Sequence, residues 1–557
     1  MADEPTRLRA VDLYSGVGGW SLGLKLAGVE VVASYDIWKP ANETNTRNNG
    51  HAALTQNLRH LDLAHLPKNI DIVVGSPPCT QFSYANRGGG GDIEDGLKDI
   101  KVFLQVVDHL RPKAWAMENV PRVAAILDRE LRMGGRLAAF AHLGLSHRTI
   151  NMEDFGLPQR RKRCIAGNLD FDLLLAYSHG LRRPTLGDVI TSLKEDVVTD
   201  PLYGIKLKSR DLIDHVIEDG LNGEEMRINR ANKVEHPIYN RMPFPDCLDR
   251  SVRTITATCT RVSRESIVVR DSTKTDTHRR LTIRERATLQ GFPITFQFFG
   301  RNYSQKLKMI GNAVPPLFSY YTACALSGLP PEAVSPPSER PLLLNLGAAV
   351  PMETPPARTG AVYPSRRTFR FAIPALRLSS GVRFDLTNVS QSDDVSWRVD
   401  FVFGTSKSIH KLEPGFELLR HVRPLLNGLP LVRAEVQHVG EMAAQFDLAN
   451  MQRVWCHNGT GTHHPFQLLD ALNAAGDRMR LLLSEHQRVA QAIVVDAVKF
   501  QHKDKVIELK GVDRLRRNST VVAAGLLVGS AANASFLKPV SGSQGASAGA
   551  GKISYGF

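Results

Sequence analysis

The stretch RAVDLYSGVGGWS, Arg9 to Ser21, carries a short apolar run to Asp12, turns through Gly16, Gly18 and Gly19, and opens into the helix-spaced SLGLKLAG. A run of this kind reads as a buried strand of about five to eight residues. Glycines in the turn let the backbone approach a ligand closely, and the helix N-terminus behind it favours the ligand's negative groups. A strand, a glycine turn and a helix are by themselves a weak cofactor signal, which only βαβ context confirms. Outward from it, VEVVASYDI, IDIVVGSPP and KAWAMENV read as further buried strands, with ANETNTRN and DIKVFLQVVDHL as helices between them. Such alternation specifies an α/β fold, a doubly wound parallel sheet with helices on both faces and ligands at the carboxyl ends of the strands.

The chemistry-bearing residues fall at those strand ends. The second strand ends at Asp36, the usual position of a partner for ribose hydroxyls, and Ile37 and Trp38 follow, suited to flank a flat adenine. The alternative is an ordinary βαβ turn with a solvated carboxylate. The third strand runs into Gly75-Ser-Pro77-Pro78-Cys79-Thr-Gln-Phe82-Ser83, where a rigid Pro-Pro turn holds a cysteine in position to act as a nucleophile. A buried structural thiol is the commoner fate of a lone cysteine. The fourth strand ends in Glu118-Asn-Val-Pro, a carboxyl beside the cleft suited to acid chemistry. Further on, Gln159-Arg-Arg161-Lys-Arg163 would set alternate side chains on one face of an extended segment.

The chain has 557 residues, enough for two to four domains. Its net charge of +14 favours a polyanionic partner. The six cysteines are scattered without metal-like spacing, so no metal site is expected. The N-terminus lacks a secretory h-region, and no apolar run is read as reaching membrane-spanning length; a reducing, cytoplasmic location is expected, which would keep a reactive thiol free. Residues 1–168 are expected to form the catalytic lobe, completed by 300–327. Residues 169–299 form a smaller lobe with basic stretches such as KLKSRD. The proline-rich 328–366 reads as a linker, 367–535 as a separate α/β domain, and 536–557 as a flexible Gly/Ser/Ala tail. In the separate domain, WRVDFVFG and RVAQAIVVDAVKF read as strands and HPFQLLDALNAAGDRMRLLLSEHQ as helix.

Together these motifs resemble the DNA cytosine-5 methyltransferases, over about 8–168 and 250–320 and in the family's order. DLYSGVGGWS looks like the cofactor glycine motif, YDIW the ribose and adenine motif, PPCTQFS the catalytic motif and MENVP the glutamate motif. DFGLPQRRKR resembles the Gln-x-Arg-x-Arg segment, and RRLTIRERATLQGFP and QKLKMIGNAVPP the last two motifs. The resemblance implies a Rossmann-like methyltransferase sheet with a small target-recognition lobe, S-adenosylmethionine as cofactor and double-stranded DNA as partner. It implies Cys79, Glu118, Arg161 and Arg163 as catalytic residues. Asp12, Gly16, Gly18, Gly19, Trp20, Asp36, Ile37, Trp38, Asp62, Pro78 and Asn312 would bind the cofactor, with Asp62 on the adenine amine and Asn312 on the methionine part. Ser83, Gln159, Arg253 and Thr254 would contact DNA, and 169–250 would read a short site from the major groove. A cognate restriction endonuclease acting on the same site is a further partner the resemblance allows; a monomer is expected.

The implied mechanism joins Cys79 to C6 of a flipped cytosine, which needs a thiol pKa lowered by neighbouring cations and a raised Glu118. Gly88 to Gly91 suit a closing loop. Four departures stand out. Asp36 stands where glutamate is usual, which should still bind a ribose diol. Tyr14-Ser15 replaces a Phe-Cys or Phe-Ala pair, Thr80-Gln81 follows the cysteine where Gln-Gly is usual, and GDIEDGLKDIK replaces an arginine-bearing segment. Competing readings are an RNA cytosine-5 methyltransferase, whose Cys-Phe-Thr element is not found here, an inactive DNA-binding relative, and a fusion with a nuclease. For the last, Glu435, Asp496 with Lys499, and Glu508 with Lys510 are the candidate pairs.

Overall fold

The structure is a computed structural model and describes residues 7–82, 92–235, 241–271, 277–339, 353–356, 363–378, 381–391, 394–405, 408–457, 463–501 and 512–536. Ser83 and the glycines at 88–91 lie outside the described residues, as do Glu508 and Lys510. The chain divides into two compact units, one of 1–229 with 243–358 and one of 230–242 with 359–557.

In the first unit the alternation becomes β1 (Arg9–Leu13), α1 (Gly19–Leu26), β2 (Glu30–Asp36), α2 (Lys39–Asn49), β3 (Ala53–Thr55), β4 (Ile72–Gly75), α3 (Ile93–Leu110), β5 (Ala114–Asn119) and α4 (Val123–Glu130). Next come β6 (Ser146–Asn151), β7 (Gln159–Arg160) and β8 (Lys162–Gly167). Seven strands make one sheet in the order β3-β2-β1-β4-β5-β8-β6. The first five are parallel and β8 runs antiparallel to β5. The strand order reverses between β1 and β4, and a doubly wound sheet opens its ligand crevice at that switch point. Successive residues of each strand feed opposite faces. Val11, Val73 and Met117 pack with Phe103 and Leu127 of α3 and α4, while Ala10, Ile72 and Ala116 pack with Trp20 and Phe318 on the other side.

The last motif folds back onto α1. There, α9 (Tyr303–Asn312) leads into α10 (Pro316–Leu326), and a Cβ at Gly23 of α1 would lie 2.3 Å from Ser319 Cβ of α10. The neighbouring Gly19 is needed for the same reason, since its Cβ would meet the Val314 carbonyl oxygen at 2.0 Å. The region expected to read DNA contains α5 (Phe171–Ala176), α6 (Leu186–Ser192), the hairpin β9–β10 (Val197–Thr199, Lys206–Lys208) and α7 (Gly223–Lys233). It continues through β11 (Val252–Arg253), the pair β12–β13 (Val268–Arg270, His278–Arg280) and α8 (Ile283–Leu289). Its first helix does not belong to a separate lobe. Phe171 and Leu174 sit in the same apolar core as Trp20 and Phe318. The proline-rich stretch is also partly docked on this unit: Tyr320 Oη donates to the Ser335 carbonyl (2.8 Å), and Glu353 accepts from the Asp214 amide (3.1 Å).

The second unit is built strands first, then helices. An antiparallel meander of β14 (Arg370–Arg377), β15 (Arg383–Gln391), β16 (Asp394–Thr405) and β17 (Ser408–Leu412) is followed by α11 (Phe416–Val422), α12 (Pro430–Ala444) and α13 (Leu448–His457). Then come α14 (Pro465–Ser484), α15 (Gln487–Gln501), α16 (Val512–Arg517) and α17 (Ser519–Phe536). WRVDFVFG is indeed a strand, but RVAQAIVVDAVKF is a helix, α15. Its buried Ala490, Ile493, Val494 and Ala497 recur at three- and four-residue spacing, a period that outweighs the β-branched composition. The expectation that no apolar segment reaches membrane-spanning length is also corrected. Helix α17 is long and apolar enough, with mean hydropathy 1.4. In the structure 78% of that window is buried within the protein, with Gly525 against the Phe384 ring of β15. Asn533 on the same helix saturates its amide on Val399 N, Val399 O and Pro414 O of the sheet side. Of the candidate nuclease residues, Glu435 on α12 is paired with Arg478 (2.9 Å), and Asp496 and Lys499 lie on α15 rather than on a strand.

Candidate active site

Four strand ends, those of β1, β2, β4 and β5, carry the candidate residues around the switch point. β1 delivers Asp12, which is fully buried. Its Oδ2 accepts from the Ser21 hydroxyl (2.6 Å) and amide (3.1 Å), while Oδ1 is buried without a hydrogen-bond partner. No cation offsets this burial, and it pushes the carboxyl up to about 7. The turn that follows carries Gly16 and Gly18 at φ 52° and 87°, a region L-residues rarely adopt. At Gly18 a Cβ would also strike Asn45 Oδ1 at 2.2 Å. Trp20 is buried, its indole N–H donating to Ser76 Oγ at the end of β4 (3.0 Å), so the cofactor turn and the nucleophile's turn share a bond.

Asp36 at the end of β2 is fixed from both sides: Oδ2 accepts from the Gly16 amide (2.9 Å) and Oδ1 from the Trp38 amide (2.8 Å). Burial raises its pKa, and the two backbone donors and the charge of Lys308 pull it back. Ile37 beside it is 67% exposed, an unusual surface for isoleucine, and Trp38 is half-buried under the Lys308 ammonium, 4.8 Å from the ring centroid. Lys308 escaped the sequence reading. Its spacing of four from Asn312 on α9 puts both on one side of that helix and is the signal that could have found it. Asp62 is exposed and caps its own short turn, accepting from the Ala64 amide (3.0 Å) and pairing with His65 (2.9 Å).

From β4 the chain passes through the Pro-Pro turn to Cys79, half-buried beside the exposed Pro78, and Phe82 N closes the turn on the Cys79 carbonyl (2.9 Å). β5 brings Glu118 to 8% exposure, and Asn119 ties the two strand ends by donating to the Pro77 carbonyl (3.0 Å). Across from it, Arg163 Nε of β8 lies 2.9 Å from Glu118 Oε1. Arg161 is buried and uses its guanidinium on backbone: Nη1 donates to Ile255 O (3.3 Å), and Nη2 to Gly311 O (3.4 Å) and Ala313 O (3.1 Å). Gripping the carbonyls on either side of Asn312, it leaves that side chain exposed. Alternation along 159–163 is as expected: Gln159 and Arg161 point in, Arg160 and Lys162 out.

The expected lowering of the thiol pKa is overturned. Burial raises the Cys79 pKa and the Glu118 charge adds to the rise, outweighing Arg163 and Arg161, which lower it. Burial also pulls Arg161 down to about 9, with Arg163 acting in the same direction.

Three of the expected DNA contacts, Gln159, Arg253 and Thr254, have side-chain partners within the protein. Gln159 is fully buried; its amide donates to Leu289 O (3.2 Å) and Gln290 Oε1 (2.8 Å) and its oxygen accepts from the Ile255 amide (2.8 Å), which leaves nothing to offer a base. Arg253 is paired with Asp246 and donates to the Ser266 carbonyl. Thr254 is half-buried, its hydroxyl donating to the Arg160 carbonyl (2.9 Å). Residues 159–160 and 252–253 run as a short parallel pair, β7 with β11, which ties these two distant segments together.

At these strand ends a cysteine, a glutamate and two arginines come together beside a glycine turn. Residues 8–327, more than half the chain, match the family described as C-5 cytosine-specific DNA methylase, and the chain belongs to that family: it is a DNA cytosine-5 methyltransferase. Enzymes of this family use S-adenosylmethionine. It is similar to the type II methyltransferase M1.HphI of Haemophilus parahaemolyticus, 29% identical over 346 residues, which span 57% of this chain and 86% of that one. Type II methyltransferase M.AplI of Arthrospira platensis is 30% identical over 326 residues, 57% of this chain and 85% of that one. Among solved structures, the S. pombe Dnmt2 methyltransferase is matched over 58% of this chain and 99% of that one, at 18% identity and a TM-score of 0.40. The family match ends at 327, so residues 359–557 of the second unit lie outside it.

Proposed function

We propose that this chain methylates C5 of a flipped-out cytosine within one short DNA sequence, with Cys79 as nucleophile and S-adenosylmethionine as methyl donor. The observation that carries the reading is the meeting of Cys79 with Glu118, Arg161 and Arg163, whose charges all act on its thiol. Cys79 Sγ, as thiolate, bonds to C6 of the base, and the electron pair of the C5–C6 double bond moves toward C5 and N3. Glu118 holds a proton at N3 and so stabilises that charge. Bound S-adenosylmethionine supplies the methyl group as an electrophile. Once C5 carries the methyl, its proton leaves to water and the Sγ–C6 bond breaks, restoring the double bond and the thiolate. Arg163 holds Glu118 and the base oxygen O2, and Arg161 holds the backbone on both sides of Asn312. Protonation of Glu118 when the base enters removes one of the charges that raise the Cys79 thiol, and so favours the thiolate.

The strand-end groups fit the cofactor. Asp12 keeps one buried oxygen without a partner, the glycine turn leaves no Cβ in the way, and Asp36, Ile37 and Trp38 offer fixed acceptors beside an exposed apolar edge. Exposed Lys206 and Lys208 on the β9–β10 hairpin suit the DNA backbone. The type II relatives make a cognate endonuclease acting on the same site the expected companion. Expression in a host lacking cytosine methylation, followed by sequencing for 5-methylcytosine, tests the whole reading. Methylation at one short motif is expected; methylation confined to RNA would overturn it.

A further inference from the structure

Three of the departures from the family resemblance, Tyr14, Gln81 and the segment carrying Asp92 to Asp99, meet at the first two turns of α3. Tyr14 stands at φ 53°, in the left-handed region that a bulky residue occupies only when it is held there. Its hydroxyl donates to the Asp99 carbonyl (3.2 Å) and lies 3.3 Å from Asp99 Oδ1. Asp99 is buried and takes both Arg59 Nε (2.9 Å) and Nη2 (2.6 Å), while Arg59 Nη1 reaches Asp95 one turn earlier (2.8 Å). On the same two turns, Gln81 Oε1 accepts from the Asp92 amide (3.0 Å). A Cβ at Gly96 would fall 2.5 Å from Phe82 Cζ and 3.0 Å from Gln81 Cβ, so the turn that carries Cys79 is seated directly on this helix. Phe82 is fully buried there and closes the turn onto the Cys79 carbonyl.

We infer that residues 92–99 form a positioning bridge that sets the cofactor turn and the nucleophile's turn relative to each other, with Tyr14, Asp99 and Gln81 as positioning residues for methyl transfer. One side of the bridge is the tyrosine hydroxyl on Asp99; the other is Gln81 and Phe82 on Asp92 and Gly96. A phenylalanine at 14 has no hydroxyl with which to make the first contact. Asp99, in the segment that departs from the family, provides its acceptor, and Arg59 fixes that acceptor with two bonds, so the ring and the strained backbone behind it are located by α3. The inference rests on the proposed function, in that it takes 14–19 as the cofactor turn and Cys79 as the nucleophile.

The test uses the full chain without DNA and two readouts: the dissociation constant for S-adenosylmethionine by calorimetry, and the rate of Cys79 alkylation by iodoacetamide followed by peptide mass mapping. Tyr14→Phe removes one hydroxyl and should weaken S-adenosylmethionine binding three- to tenfold while changing the Cys79 rate at least threefold. Gln81→Ala, on the nucleophile's side, should also weaken S-adenosylmethionine binding about threefold, and Gln81→Glu, which restores the acceptor, should recover it. The double variant should be no worse than the worse single, because both break one bridge. Effects confined to each variant's own side, or multiplying in the double variant, would overturn the bridge. A wild-type chain that binds no S-adenosylmethionine sinks the proposed function instead, while the alkylation rate of Tyr14→Phe still decides the bridge: a rate equal to wild type rejects it.

Discussion

Both units bury aspartates on sheet strands, and they treat them differently. In the second unit Asp385 and Asp400 sit directly opposite each other on β15 and β16, an arrangement that like charges disfavour. Each is given cations: Arg383 (2.9 Å) and Arg370 (3.0 Å) for Asp385, Lys411 (2.8 Å) and Arg398 (3.0 Å) for Asp400. In the first unit Asp12 is as deeply buried, has no cation, and leaves one oxygen unpartnered. The difference separates two uses of a buried charge. A carboxylate surrounded by cations is part of the framework. One left without a cation at a strand end, ahead of a glycine turn, has its charged form disfavoured by burial.

This comparison can be broken at five points. The largest effect falls on Cys79→Ala, which should abolish methyl transfer, by at least about 10⁴-fold, with S-adenosylmethionine affinity and melting temperature unchanged; residual turnover near the wild-type rate in a tritium-transfer assay would remove the nucleophile from the scheme. Glu118→Gln should lower kcat by roughly 10²–10⁴-fold. Because the Glu118 charge raises the Cys79 pKa, the same variant should alkylate faster at Cys79 at pH 7.5, a gain of thiolate alongside a loss of catalysis. Slower alkylation would contradict the assigned electrostatics.

For the framework charges the prediction inverts. Asp400→Ala takes Lys411's carboxylate away and leaves Arg398 with Glu413 (2.9 Å), and should cost about 1–3 kcal/mol, below the fully buried range because Arg398 keeps a partner and Lys411 is half exposed. It should lower a calorimetric melting transition without altering S-adenosylmethionine affinity. Asp12 tests the other side. Its pKa is raised from 3.8 to about 7, so its contribution to stability is full below pH 4 and is lost as pH rises through 7, on the order of 4 kcal/mol. Asp12→Asn should therefore flatten the fall in melting temperature between pH 5 and 8; parallel curves for variant and wild type would mean that the carboxyl titrates normally. The smallest effect is expected on the β9–β10 hairpin. Lys206→Ala or Lys208→Ala should each reduce the slope of log DNA affinity against log salt by about 1 and leave kcat alone.

Much of the first unit was legible in order along the chain. Short apolar runs ending in Asp12, Asp36, Cys79 and Glu118, with helical periods between them, are local patterns, and a parallel sheet leaves few ways to assemble them. The second unit resisted the same reading at α15, where valines and isoleucines imitate a strand, and at α17, whose apolar length a core helix shares with a membrane span. Gln159 and Arg253 were misjudged for a different reason. A polar side chain in a motif looks the same in sequence whether its partner is a base or a carbonyl of Leu289 or Ser266 distant in the chain.

What the sequence by itself determined is the family, the parallel strands of the first unit and the placing of Asp12, Asp36, Cys79 and Glu118 at or just past strand ends, because these depend on residue type and short-range spacing. What only the tertiary structure decided is how those groups are biased. The thiol is raised rather than lowered because burial and Glu118 together outweigh two arginines. Arg161 serves the backbone around Asn312 because β8 brings it against a loop about 150 residues further along. Tyr14 acts on Asp99 because helix α3 returns across the strand ends. Desolvation and long-range contact are properties of packing, and no local pattern of residues encodes their balance.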